Sequence, residues 1–349
     1  MDASEIPPQS YLSTDTMAHD VGGVQFIDPP PKVKRVSRYR AGDILFSNIR
    51  PSFKKIHRAQ RSGGCSGDVL VFRPRETVDP LFVYYVLMSP HFIEYTTRTA
   101  KGAKIPRGDI HAMMRYELRV PPREEQREIG ALLGALDRKI QLKRAMSQTL
   151  DEMIRTLFTE RFETALRTPK RRRMPKRLPR GWRWVEVGAL IKVCPLKTRY
   201  RRATVEARGA VPVLDQSPTG FIGYHDHAPD VSARVDAPVI TFANHTCAMR
   251  LMTSPFSTIQ NIQPFEGKNI DTLWLYYATR DRQRFERYKG HWPDFLSQQI
   301  ITPPRSKVTR FIREIRPLFE QMISNDRGVM CLRETLDTLL SALISRYTR

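Results

Sequence analysis

Cysteine is scarce in this chain and nowhere arranged to be structural: Cys65, Cys194, Cys247 and Cys331 are scattered, with no CxxC pair and no dense spacing. A disulfide-stapled secreted scaffold is thereby excluded, and a reduced, cytoplasmic setting is expected. Long apolar runs are missing as well. The longest, Leu81 to Met88, is far short of the roughly 20 residues a helix needs to span a bilayer. No signal-peptide pattern opens the chain, and no GxxxxGK[ST] loop offers the phosphate cradle of an ATPase. Acidic charge is in deficit: 36 Asp plus Glu face 58 Lys plus Arg, leaving a net charge of +22 and a pI near 10.2. Such a surplus calls for a polyanionic partner, with nucleic acid ahead of a membrane surface.

What is present is duplicated. At 349 residues and 40% apolar content, two domains with filled cores can form. Two ladders of apolar positions, 182 residues apart, repeat without a slip. The first is Ile129, Leu133, Leu136, Ile140, Lys143, Ser147, Leu150, Ile154, Leu157; the second is Phe311, Ile315, Leu318, Met322, Asn325, Val329, Leu332, Leu336, Leu339. Steps of four and three average 3.5 residues, the period that keeps one stripe against a partner helix as the pair supercoils. Both ladders follow a Pro-Pro-Arg and both turn polar at the same step, Lys143 and Asn325; a polar seam position trades stability for register. Pro317 falls inside the second ladder, and interior proline usually kinks or restarts a helix. A break is therefore expected there, with the main rod running from Pro317 to Arg346.

Ahead of each ladder lies a region of short β-type runs in the same order. Residues 44–48, 68–72 and the helical stretch 81–85 in the first correspond to 239–244, 259–262 and 273–277 in the second. Each region ends in a basic Gly turn, Lys101-Gly102 or Lys289-Gly290. Such an internal repeat outweighs any single local assignment. Between the halves, eight of the fourteen residues from Arg167 to Arg180 are Lys or Arg, which reads as an extended, solvated linker or a strap on phosphates.

Other chemistry is poorly supplied. His225-Asp226-His227 and His245-Thr246-Cys247, with Cys194, lack the spacing of strong zinc sites. Asp28-Pro29-Pro30-Pro31 lacks the aromatic of an amine-gripping methyltransferase loop, and Glu266-Gly267-Lys268 is only the tail of a nuclease signature. The Tyr84-Tyr85 and Tyr276-Tyr277 pairs could stack on bases, but within apolar helical runs they read as core. A reader of duplex DNA needs cations for phosphates and polar forks for base edges. Asn48, Arg50, Lys54, Lys55, Lys101, Lys104 and Arg107 supply these in the first half, and Asn244, His245, Arg250, Lys289, His291 and Trp292 in the second.

Several segments resemble the specificity subunit of type I DNA restriction-modification systems. These are Gly42-Asp43-Ile44-Leu45-Phe46-Ser47-Asn48-Ile49-Arg50-Pro51, Pro121-Pro122-Arg123-Glu124-Glu125-Gln126 with Leu136-Asp137-Arg138-Lys139-Ile140, and the Leu178-Pro179-Arg180-Gly181-Trp182 opening of the second half. The resemblance implies an α+β fold: two mixed-sheet target recognition domains separated by an antiparallel two-helix coiled coil, with an internal pseudo-two-fold repeat. The expected domains are 1–120 (a first recognition domain, shortened at its N-terminus), 121–166 (first helix), 167–177 (basic linker), 178–302 (second recognition domain) and 303–349 (second helix). It further implies no catalytic centre, cofactor or metal in this chain. Its partners would be double-stranded DNA, two modification subunits that use S-adenosylmethionine to methylate adenine N6, and, in the full complex, two restriction subunits driven by ATP and Mg. The helix-pairing residues would be Ile129, Leu133, Leu136, Ile140, Leu150, Ile154 and Leu157 of the first ladder and Met322, Asn325, Val329, Leu332, Leu336 and Leu339 of the second. A scaffold that binds DNA through charge alone, without a methyltransferase partner, is the alternative; a metal-dependent nuclease is a more distant one.

Overall fold

The computed structural model describes residues 6, 9–19, 22–26, 36–163, 178–217 and 220–347. The basic stretch 167–177 and Asp28 to Pro31 lie outside these. The chain divides into two compact units, Met1–Leu142 with Gly328–Arg349, and Lys143–Arg327, so that each contains part of both long helices.

The first unit contributes β1 (Tyr11–Leu12), β2 (Ser37–Tyr39), β3 (Ile44–Ser47), β4 (Ile56–Arg58), β5 (Gly63–Cys65) and β6 (Val69–Phe72). Helices α1 (Pro80–Met88), α2 (Pro90–Arg98) and α3 (Ile110–Met114) follow, and then α4 (Arg123–Phe158), whose first part belongs here. Strand β3 is the antiparallel centre of a sheet ordered β4-β3-β6, and a mixed sheet β1-β5-β2 lies in the same unit. The second unit holds β7 (Arg183–Glu186), β8 (Ile191–Val193), β9 (Val211–Leu214), β10 (Phe221–His225), β11 (Val239–Ala243), β12 (Met249–Met252), β13 (Ser257–Thr258) and β14 (Ile262–Gly267). These are followed by α5 (Thr272–Thr279), α6 (Trp292–Leu296), β15 (Gln299–Thr302) and α7 (Arg305–Ile344), which returns to the first unit at Gly328. Here β11 is central in β12-β11-β14-β8, and β10-β9-β13 is mixed. The β4-β3-β6 and β12-β11-β14 sheets are the same motif twice; among the described residues β6 has no partner matching β8.

The repeat extends to capping chemistry. Asp79 opens α1 and Asp271 opens α5, each accepting two N–H bonds, from Leu81 and Phe82 and from Leu273 and Trp274. An aspartate there takes two of the amides that a helix start leaves unpaired. Inside these helices the tyrosine pairs adopt the same T-shaped contact, with ring centroids 5.1 Å apart at Tyr84-Tyr85 and 5.4 Å at Tyr276-Tyr277. Tyr84, Tyr85 and Tyr277 are buried, so these rings fill core.

Within each unit the long helices pair antiparallel. In the first, Ile129, Leu133, Leu136 and Ile140 share a core with Val329, Leu332, Leu336, Leu339 and Leu340. The start of α4 meets the end of α7 there: the Tyr347 hydroxyl donates to Glu125, and the Tyr347 carbonyl accepts from the Arg119 N–H at 2.7 Å. In the second, Ile154, Leu157 and Phe158 pack with Phe311, Ile315, Leu318 and Met322; Leu150 is half-buried. The two polar ladder positions meet each other. Asn325, 1% exposed, accepts through Oδ1 from Lys143 Nζ at 3.4 Å and from Gln321 Nε2 at 3.2 Å, while the Ser147 hydroxyl lies 3.1 Å from Asp326 Oδ1. A polar layer of this kind rejects shifted registers, which would leave its groups against leucine.

The break expected at Pro317 is absent: α7 is continuous across it. Both Pro317 and Arg313, whose carbonyl loses its helical partner, are exposed, so water can take the missing bond. Ile315 and Phe319, buried on the other side, hold the helix in line.

Asp43, in the first motif, is a structural residue. It is 2% exposed, accepts from the Arg40 N–H at 2.7 Å, and is gripped by the Arg73 guanidinium at 2.8 and 2.6 Å. Burial alone would raise its pKa, but the Arg73 and Arg40 bonds outweigh this and hold the carboxyl below the usual aspartate value. Its contribution is therefore complete above the unfolded value of about 4 and lost as pH falls through the lowered folded value. Asp43→Asn is expected to cost about 1–3 kcal/mol at neutral pH, and the difference from the parent in urea unfolding should shrink in acid.

Candidate nucleic-acid interface

In the first unit the end of β3, the turn after it and the loop before α3 converge. The Asn48 carbonyl accepts from the Gly108 N–H at 3.0 Å, and the Arg50 N–H donates to the Pro106 carbonyl at 2.8 Å. Lys101 and Arg107 exchange both backbone bonds at 2.8 Å, closing the loop between them. Gly102 has φ +99°, a conformation that costs glycine little and other residues much. Arg50 and Lys54 also lie at positive φ, 50° and 47°. Non-glycine residues seldom occur there, and such strained positions cluster at functional sites.

The cations differ in availability. Lys55 is tied down, its ammonium donating to the Thr14 carbonyl at 2.7 Å. Arg107 pairs with Asp68 at 2.6 Å, and Lys101, with an 81% exposed side chain, pairs with Asp109 at 2.7 Å. The Lys101 ammonium, with the backbone amides of α3, brings the Asp109 carboxyl down to about 2. Arg50 is exposed, with its guanidinium 5.4 Å from the Phe53 ring centroid. Lys104 is exposed on the loop, and its side chain has no ion pair or hydrogen bond among the described residues. The Asn48 Oδ1 is buried without a partner among the described residues.

The second unit repeats the junction with different side chains. The Asn244 N–H donates to the Asn261 carbonyl as Asn48 does to Asp68, and the Asn244 carbonyl accepts from His291 as Asn48 does from Gly108. Its side-chain oxygen accepts from the Trp292 N–H at 2.8 Å. Asn244 thus caps α6 and is not a free fork for a base. His291 is fully buried, its Nε2 donating to the Arg287 carbonyl at 3.1 Å. It cannot reach DNA, contrary to the expectation from sequence, because the helix start it precedes is packed into the core. Arg250 is likewise inward: its guanidinium donates to the carbonyls of Asp215 (3.1 Å) and Ser217, latching the turn between β9 and β10. Lys289 pairs with Asp294 at 2.6 Å.

His245 stays half-exposed. Its N–H donates to Gln216 Oε1 at 2.8 Å, and its Nδ1 lies 2.9 Å from the Lys289 carbonyl, an acceptor, so Nδ1 carries the proton. Its ring lies flat against Tyr288, centroids 4.9 Å apart at 15°. Tyr288, 81% exposed, was not among the residues singled out from sequence; the surrounding Arg284 and Arg287 are exposed too. The other histidine cluster is internal. His225 is buried against Tyr200, accepts the His227 N–H through Nδ1 at 3.1 Å, and so donates through Nε2 to Ser257 at 2.9 Å. Among the described residues no group of three or more His, Cys, Asp or Glu side chains is gathered to hold a metal.

Each unit therefore presents a strand end, a turn and a basic loop locked together by main-chain bonds. Comparison with known proteins places this architecture. Residues 40–152 match the type I restriction modification DNA specificity domain. The MjaIX type I restriction enzyme specificity subunit of Methanocaldococcus jannaschii is 21% identical over 78% of this chain and 69% of its own. The HindI specificity subunit of Haemophilus influenzae is 27% identical over 39% of this chain and 30% of its own. The crystal structure of a type I restriction-modification S subunit from M. genitalium shares the fold, with a TM-score of 0.50 and 15% identity over 99% of this chain and 91% of that one. Residues 40–152 thus carry the match to the specificity-domain model, and over most of its length the chain is similar to specificity subunits of type I restriction enzymes.

Proposed function

We propose that the chain reads a bipartite duplex target, one half-site per unit, and holds adenine-N6 methyltransferase subunits over the two halves. One observation carries this reading: the same strand-turn-loop junction, with cations on its outer loop, is built twice on an antiparallel helix pair. The chain itself would need no cofactor. Two modification subunits would bring S-adenosylmethionine, and restriction subunits, where present, would bring ATP and Mg. Leu132, Leu142, Met146 and Met153 stand exposed on α4 outside the seam, apolar surface that suits docking of such subunits. No described helix is long and apolar enough to cross a membrane, and a cytoplasmic setting fits the unpaired cysteines.

Mapping methylated adenines in cells with and without the gene tests this. A two-part motif appearing only with the gene is expected. Its absence, together with purified complexes that bind all duplexes equally at matched salt, would favour the scaffold reading. Affinity for the motif should fall steeply with salt, since each phosphate contact releases counterions.

A further inference from the structure

In each unit a large apolar side chain stands out in solvent at the same place. Ile105 stands three residues before Gly108, and Tyr288 three before His291, the two residues whose N–H groups anchor on the strand-end asparagine carbonyls. Ile105 is 51% and Tyr288 81% exposed. A lone exposed apolar residue means little; the recurrence at equivalent positions in halves of different sequence calls for a cause. The two tips are held in different ways. Tyr288 rests on the His245 ring, itself pinned by Gln216 and the Lys289 carbonyl. The Ile105 loop is closed by the Lys101-Arg107 pair. Exposed cations flank each tip: Lys101, Lys104 and Arg107 in one case, Arg284 and Arg287 in the other.

We propose that Ile105 and Tyr288 are the contact tips of the two DNA-reading heads, Ile105 wedging against a base step and Tyr288 stacking on a base, while the adjacent cations take the flanking phosphates. The inference rests on the function proposed above and adds the residues that touch the stacked bases. An apolar tip ringed by cations is complementary to a duplex, whose apolar base stack lies between anionic backbones. At the first tip it suits a protein partner less well, because Lys101 and Lys104 flank it and the cores of protein interfaces are depleted in lysine.

The test uses the full chain in complex with its modification subunits, on a duplex carrying the methylated motif and on a scrambled one. Tyr288→Ala should weaken binding to the motif duplex at least about fivefold and leave the scrambled duplex within about twofold. Tyr288→Phe, which keeps the ring, should behave as the parent, and Ile105→Ala should lose about threefold or more on the motif. A 2-aminopurine placed through the motif should brighten on binding the parent complex and less so with Tyr288→Ala, while thermal unfolding of the variants is unchanged. Motif affinity within twofold of the parent for both alanine variants would overturn the proposal. So would a loss of binding traced by size-exclusion chromatography to modification subunits no longer co-eluting, since the tips would then be protein contacts. A parent complex with no preference between duplexes overturns the underlying function, and the tips with it.

Discussion

Removing one heptad from each long helix, residues 136–142 and 326–332, is expected to abolish methylation at the native target and create it at a site with the same half-sites and a spacer about three base pairs shorter. Seven residues of helix span about 10 Å, and the duplex rises about 3.4 Å per base pair. The paired deletion keeps the 3.5-residue phase of both ladders and removes Asp326 but spares Lys143, Gln321 and Asn325, so the bonds at Asn325 and the seam can reform. Three base pairs also turn one half-site by about 100° around the duplex, so loss of the native site should be nearly complete. Sequencing of methylated DNA from cells carrying the deleted form reads the outcome directly. An unchanged spacer would show that the helices do not set the distance. Deletion from one helix alone should destabilise the pair, because it keeps the apolar stripes facing each other but moves Lys143 and Asn325 out of register, each against apolar seam positions.

Trp274→Ala is the substitution expected to cost most stability, about 3–5 kcal/mol in denaturant unfolding. Trp274 is fully buried on α5, with Phe162 edge-on at 5.8 Å and Phe158 at 5.9 Å between ring centroids. Through these rings α5 is fixed to the end of α4, and Phe311 of α7 closes the cluster at 5.8 Å from Phe158 and 5.1 Å from Phe162. Removing the indole opens a void that stiff aromatic neighbours cannot fill. Trp274→Phe should cost much less, about 1.5 kcal/mol or under. It keeps most of the ring and deletes an indole N–H that has no partner among the described residues, itself a penalty in the parent protein. Equal losses for the two variants would mean that shape at this site matters less than the packing implies.

The ladders were legible because periodicity records which side of a helix is buried, and that is a property of neighbours three and four residues apart. The matching break at Lys143 and Asn325 was legible as a shared feature. That the two residues hydrogen-bond each other came only from the antiparallel pairing, which sets equivalent positions face to face. Pro317 misled because local chemistry predicts a kink, whereas the packed seam on the opposite face keeps the helix straight enough to continue.

At the loops the sequence specified composition and the tertiary structure specified direction. Basic charge, the internal repeat and the family motifs follow from residue identities and spacings alone, since they need no partner. Whether Asn244, Arg250 or His291 faces solvent depends on which distant carbonyl or amide lies beside it, supplied by segments tens of residues away: Trp292 for Asn244, Asp215 for Arg250 and the Asn244 carbonyl for the His291 N–H. The same holds in reverse for Tyr288, an ordinary tyrosine in the sequence, which the packing of His245 beneath it turns outward. Burial patterns are short-range and survive in one dimension; the pairing of a polar group is long-range, and only the folded chain decides it.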